Sequence, residues 1–352
     1  MSDGQPPLAI AAPGDAELLQ RLRVSAQRIF ADHRDGCTDR DAVWRDGKRV
    51  LYRYAATQPR RLRTPLLICY ALINRPYMMD LQPNRSLIRD LLDAGIDVYL
   101  IDWGYPDAAD RFADLNEHIN QTLDDCVEFL TRECAVPSIN LLGVCQGGVL
   151  ALCYTALHPG KVKNLITMVT PVDFKTPDNL LSQWAQGIDV DLMSASGNVS
   201  GDFLNAVYLS LMPFRLTQQK YLSLGELERD ESELENFMRM ERWIFDSPDQ
   251  AARAFAEFIT WFFKENRLIT GGLRLGGREV LMTGIQCPIL NAFALKDHLV
   301  PPDASRALRN LTGSSDYSEL AVDVGHIGMY VSSKAKREVA PAVTRWLATR
   351  DA

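Results

Sequence analysis

The chain has 352 residues, 47% of them apolar, which is enough for a substantial core and for one large α/β domain or a domain plus an insertion. A formal charge of -7 excludes a general nucleic-acid surface, because such proteins need a basic face to replace released counterions, and it obliges any anionic substrate to find a local basic patch. The seven cysteines are scattered, odd in number and nowhere in C-x-x-C spacing, so no zinc or dithiol motif is expected; that usage fits a reducing cytoplasm.

In chain order, the opening MSDGQPPLAIAAPGDAE carries no basic run before its short apolar patch, and no stretch approaches the length of a membrane span. The expected location is cytoplasmic. Residues 1–40 read as an N-terminal segment with one helix, over 16–31. Asp46-Gly47 between β-prone runs predicts a hairpin over 43–54. Short apolar strands then alternate with amphipathic helices: strands over 65–72, 96–103, 138–144 and 162–171, helices over 86–95, 115–134 and 147–158. Such alternation predicts a mostly parallel sheet with helices on both faces. The rhythm breaks after residue 174. Residues 175–280 are mainly helical in pattern and are expected to form a cap inserted above the sheet, after which strands over 287–295 and 317–325 and a last helix over 333–348 complete a core made of 41–174 and 281–352.

The strand, turn and helix of LLGVCQGGVLALC put Cys145 where the serine of a G-x-S-x-G nucleophile elbow stands. Glycine at 143 and 147 is a steric demand of that turn, since side chains two positions either side of the nucleophile collide with neighbouring backbone. The helix that follows points its positive end at Cys145 and favours a thiolate there. A plain buried cysteine is the bland alternative, and it suits Cys69, Cys126 and Cys153 better. In the chain order of this fold an acid and then a histidine follow, each after a strand: Asp297 in LKDHLVPP and His326 in DVGHIGMY, with Gly325 and Gly328 expected to let the histidine loop bend. Asp303 and Asp323 are weaker acids for the role. His298 competes with His326 but adjoins Asp297 too closely to be oriented by it, and is assigned a role beside the site or at a substrate hydroxyl. His33, His118 and His158 read as packing or surface residues. For an oxyanion hole the backbone N–H of Gln146 and of Ile73 are the candidates.

GVCQGG, LINRPYMMDL, LIDWGYP, KVKNLITMVTPVDF, MERWIFD, ENRLITGGLRLGGREV, DHLVPP and GHIGMY together resemble the polyhydroxyalkanoate (PHA) synthases, acyltransferases of the α/β-hydrolase fold that polymerise (R)-3-hydroxyacyl-CoA. The chain length and the glutamine after the cysteine are similar to the short, class III catalytic subunit. The resemblance implies Cys145 as acyl-accepting nucleophile, His326 as base and Asp297 as its partner. It also implies CoA thioesters as substrates with no metal or other cofactor, a separate helical partner subunit, an oligomer, and work at the surface of a polyester granule. An apolar cap, with Trp184, Phe203, Leu209, Phe214, Trp261 and Phe262 as its candidate lining, would exclude water. Two other readings stand beside this one: a cysteine hydrolase or thioesterase of the dienelactone-hydrolase kind, and an inactive hydrolase-like scaffold on a granule.

Overall fold

The computed structural model of the chain describes residues 20, 23, 24, 36–211 and 231–351. Most of the predicted N-terminal helix, His33 and Phe214 lie outside them. Eight strands form one sheet: β1 (Arg40–Asp46), β2 (Arg49–Tyr54), β3 (Leu66–Cys69), β4 (Val98–Asp102), β5 (Ile139–Val144), β6 (Val162–Met168), β7 (Ile289–Ala294) and β8 (Tyr317–Val322). Their spatial order is β1-β2-β4-β3-β5-β6-β7-β8. Pairing is antiparallel for β1 with β2 and β2 with β4, and parallel elsewhere. The first hairpin turns at Gly47, whose φ of 56° is the left-handed value that its sequence pattern predicts.

The central strands are buried on both faces, which is why they read as unbroken apolar runs. Two large clusters result. One contains Leu67, Tyr99, Leu141 and the helix Gln146–Leu157; the other contains Leu66, Ile68, Leu142, Ile166 and the last helix, Ser333–Ala348. From β3 the chain winds outward to β4 on one side, then returns to β5 on the other, so the two strands beside the switch are β3 and β5. Loops at the carboxyl ends of such strands frame the crevice where ligands bind in open α/β sheets.

Between β6 and β7 the described chain is mainly helical, including Leu180–Ala185, Val190–Ala195, Gly201–Ser210, Glu231–Ile244 and Ala252–Phe258. Val190, Val199, Leu204, Phe255 and Ile259 make a small cluster of their own. Farther on, Ala254, Phe258, Phe262, Leu268, Leu273 and Leu275 pack into the first large cluster of the sheet. The helix Ala252–Phe258 continues as a π-helical turn over Ile259–Lys264.

Candidate active site

β5 ends at Val144 and the helix starts at Gln146, so Cys145 alone makes the turn, with φ 53° and ψ -121°. A side chain rarely holds that conformation, and the surroundings enforce it. A Cβ at Gly147 would lie 2.2 Å from the Cys69 carbonyl oxygen, one at Gly143 2.5 Å from the Gly148 Cα, and one at Gly148 1.9 Å from Thr170 Oγ1. The helix is therefore pressed against the ends of β3 and β6, and the three glycines of GVCQGG are spaces that backbone or side chains already fill. The Cys145 N–H donates to Met168 O at 2.9 Å, tying the elbow to β6.

His326 and Asp297 arrive from the adjacent ends of β8 and β7. His326 Nδ1 is 2.7 Å from Asp297 Oδ2, and both residues are buried, at 6% and 7% exposure. The other carboxylate oxygen, Oδ1, accepts the N–H groups of Leu299 at 2.9 Å and Val300 at 3.0 Å, so the acid is fixed before it orients the ring. Burial by itself pushes the imidazole pKa down. The negative charges of Asp297 and Cys145, together with side-chain hydrogen bonds to both, overcome that and raise it to about 10. Neither Gly325 nor Gly328 has a positive φ, so the histidine loop turns without a left-handed glycine; Gly328 is confined by Val324 Cβ, 3.0 Å from where its own Cβ would be. Asp323 is engaged by Lys296 and Lys334, and Asp303 by Arg306, which leaves neither at the histidine.

Cys145, Gln146, Ile73, His298 and His326 all line one cavity of about 620 Å³. His298 is on its wall, half-buried, while Asp297 stands behind His326. Tyr70, Tyr208 and Tyr330 line it too; burial raises the pKa of each phenol, and the charge of Cys145 raises it further, so they stay neutral hydroxyls near the sulfur. Asn74, Asn179, Asn205 and Lys296 also reach it, and the rest of the wall is apolar. Trp184, Phe203 and Leu209 contribute as the sequence suggests, whereas Phe262 is fully buried in the sheet's core and Trp261 packs against that core. Phe255, Phe258, Ile259 and Phe263 line the cavity in their place, three and four residues apart along one face.

The loop after β3 is held unusually firmly. Leu72 N donates to Gln146 Oε1 at 3.0 Å, and Leu72 O accepts from Gln250 Nε2 at 2.7 Å. Asn74 takes a left-handed φ of 61°, and Ser247 Oγ donates to its Oδ1 at 2.5 Å. Arg75 then makes a buried, two-pronged pair with Asp102, both contacts 2.8 Å, while its carbonyl accepts Trp243 Nε1 at 2.7 Å. Sequence reasoning named Ile73 in this loop but not the groups that hold it, Gln250 above all. Gln250 is 178 residues from Leu72, and no periodicity connects them. Among the described residues, no cluster of three or more His, Cys, Asp or Glu is arranged to hold a metal ion, and no helix is long and apolar enough to cross a membrane.

Comparison with known proteins adds the decisive observation. Residues 64–333 match the family model of the alpha/beta hydrolase fold, and residues 32–91 that of the poly-beta-hydroxybutyrate polymerase N-terminus. The poly(3-hydroxyalkanoate) polymerase subunit of Allochromatium vinosum is 56% identical over 318 residues, covering 90% of each chain. That of Thiocystis violacea is 53% identical over 319 residues, covering 90% of this chain and 89% of the other. The chain belongs to the poly(3-hydroxyalkanoate) polymerases. It is a PHA synthase catalytic subunit, an acyltransferase that makes polyester from CoA thioesters. The fold of this polymerase is also that of an esterase from Thermogutta terrifontis, with a TM-score of 0.52 at 15% identity, covering 89% of the polymerase and 100% of the esterase. So distant a likeness bears on architecture alone. Within the polymerase, the N-terminal family match begins at residue 32, ahead of LINRPYMMDL at 72, the earliest of the quoted motifs.

Proposed function

We propose that the polymerase grows its chain through a covalent thioester on Cys145. The observation that carries this reading is the buried Asp297–His326 pair, 2.7 Å apart, whose imidazole lines one cavity with Cys145. The Cys145 thiolate attacks the carbonyl of a (R)-3-hydroxyacyl-CoA; the oxyanion is held by the N–H groups of Gln146 and Ile73; the carbon–sulfur bond to CoA breaks, and the departing thiolate takes the proton of the His326 imidazolium. One thioester has replaced another, so the acyl group stays activated.

Acylation removes the negative charge on sulfur, and with it one of the two charges that hold the His326 pKa up. The ring that was a stable cation then becomes a usable base. It takes the proton of an incoming 3-hydroxyl, whose oxygen attacks the Cys145 thioester; an ester forms, the thiolate departs, and the imidazolium is again beside it. Asp297 orients the ring throughout.

Residues 175–280 act in this reading as a cap that keeps water from the acyl-enzyme, and His298 meets a substrate hydroxyl at the cavity wall. A separate helical subunit works with this chain, the assembly is oligomeric, and it operates in the cytoplasm at the surface of the polyester granule. The likeness to polymerases called subunits supports a partner. The test is CoA release from 3-hydroxybutyryl-CoA by the wild type, Cys145→Ser and Cys145→Ala, with mass spectrometry of the peptide containing residue 145. An acyl adduct on the wild-type cysteine and loss of CoA release in both variants are expected; equal rates in all three would remove Cys145 from the chemistry.

A further inference from the structure

We infer that Gln250 is a positioning residue for the oxyanion hole, aiming the Ile73 N–H through the Leu72–Ile73 peptide. The inference rests on the reading above, in which that N–H receives the oxyanion. A peptide unit is planar, and no cis bond is present among the described residues, so the carbonyl of Leu72 and the N–H of Ile73 point in opposite directions. Gln250 Nε2 holds the carbonyl at 2.7 Å. By fixing one end of the plane it fixes the other, and a hydrogen bond accepted by the C=O also polarises the N–H into a better donor.

The surroundings agree with that geometry. Leu72 and Gln250 line a separate, polar cavity of about 240 Å³, whereas Ile73 lines the large cavity with Cys145, so the peptide forms part of the wall between the two, with its carbonyl partner on one side. Gln250 is itself 3% exposed and anchored at both backbone groups: its N–H donates to Val199 O at 2.8 Å and its carbonyl accepts Val199 N at 2.9 Å. Val199 precedes the helix Gly201–Ser210, which supplies Leu204, Tyr208 and Leu209 to the cavity wall. On the other side of Leu72, the Gln146 side chain takes the preceding N–H. Both donors of the proposed hole are thereby set in one frame: Gln146 gives its own N–H and holds the neighbouring loop, and Gln250 sets the angle of the second donor.

The experiment uses the full chain with its partner subunit and reads the first turnover of 3-hydroxybutyryl-CoA as CoA released. Gln250→Met keeps the length and loses the donor; Gln250→Glu keeps the shape and donates only when protonated. Loss of aim at one oxyanion donor predicts a fall in the maximal rate of about 10- to 100-fold with KM nearly unchanged, since the contact acts on the transition state. Alkylation of Cys145 by iodoacetamide, which needs the thiolate and no oxyanion hole, is expected to keep its wild-type rate in both variants. Gln250→Glu should also regain rate toward acid pH as its carboxyl recovers a proton to donate, and Gln250→Met should not. An unchanged maximal rate, or a loss accompanied by slow alkylation and a raised KM, overturns the inference. If Cys145→Ala still releases CoA, it is the covalent mechanism that fails, whatever Gln250 does.

Discussion

At the scale of single residues, His326 carries the most consequential electrostatics. Its folded pKa of about 10 lies above the ordinary 6.5. A raised pKa means that the protonated ring stabilises the fold; the contribution is complete below about pH 6.5 and disappears as pH rises through about 10. The stability difference between wild type and His326→Gln should therefore shrink between pH 7 and pH 10.5, by denaturant titration at both values. Removing the sulfur charge should act in the same direction. In Cys145→Ala, an NMR titration of the His326 ring is expected to give a pKa well below the wild-type one, and an unchanged value would mean that the sulfur and the ring do not communicate. The Asp297–His326 pair was readable from chain order and strand ends alone. The grip of Gln250 on Leu72 was not, because a glutamine that serves by its carboxamide leaves no spacing rule behind it.

At the scale of elements, the elbow is a problem in space. Gly147 and Gly160 separate the two things glycine can do: a Cβ at 147 meets the backbone of β3's end at 2.2 Å, while one at 160 meets nothing within 4 Å. Gly147→Ala should cost about 1–3 kcal/mol or more, as overpacking against backbone does. Gly160→Ala, where φ is not in the left-handed range, should be neutral or stabilising by a few tenths to about 1 kcal/mol. Urea midpoints compare them, and equal destabilisation of both would deny the packing argument. The glycines announced their element in the sequence because they stand two and three positions from Cys145, although what excludes a side chain at 147 and 148 is the end of β3 and Thr170. The helix Ala252–Phe258 and the turn after it did the opposite: α-helical spacing over FAEFITWFFKEN points Phe262 as readily to the cavity as to the core, and packing against the sheet decides it.

At the scale of the whole molecule, the cavity is a nearly apolar room with Cys145, His326 and a few hydroxyls and amides on its wall. Trp184 and Phe203 line it while remaining 41% and 49% exposed, as residues at a rim do. If they keep water from the acyl-enzyme, replacing both by serine should raise the ratio of free 3-hydroxy acid to CoA released, because water then competes with the incoming hydroxyl. Chromatography of the products measures that ratio; an unchanged ratio with intact CoA release would relieve these two side chains of the role.

The sequence by itself determined the parallel sheet, the elbow at Cys145, and the order of acid and histidine, since apolar runs, glycine spacing and position after a strand are local properties that survive any detail of packing. Only the tertiary structure decided which aromatics face the cavity, what confines Gly328, and how the loop at Ile73 is held. Those outcomes depend on contacts between segments far apart in the chain, as Gln250 is from Leu72, and such contacts are not written in the spacing of any one stretch.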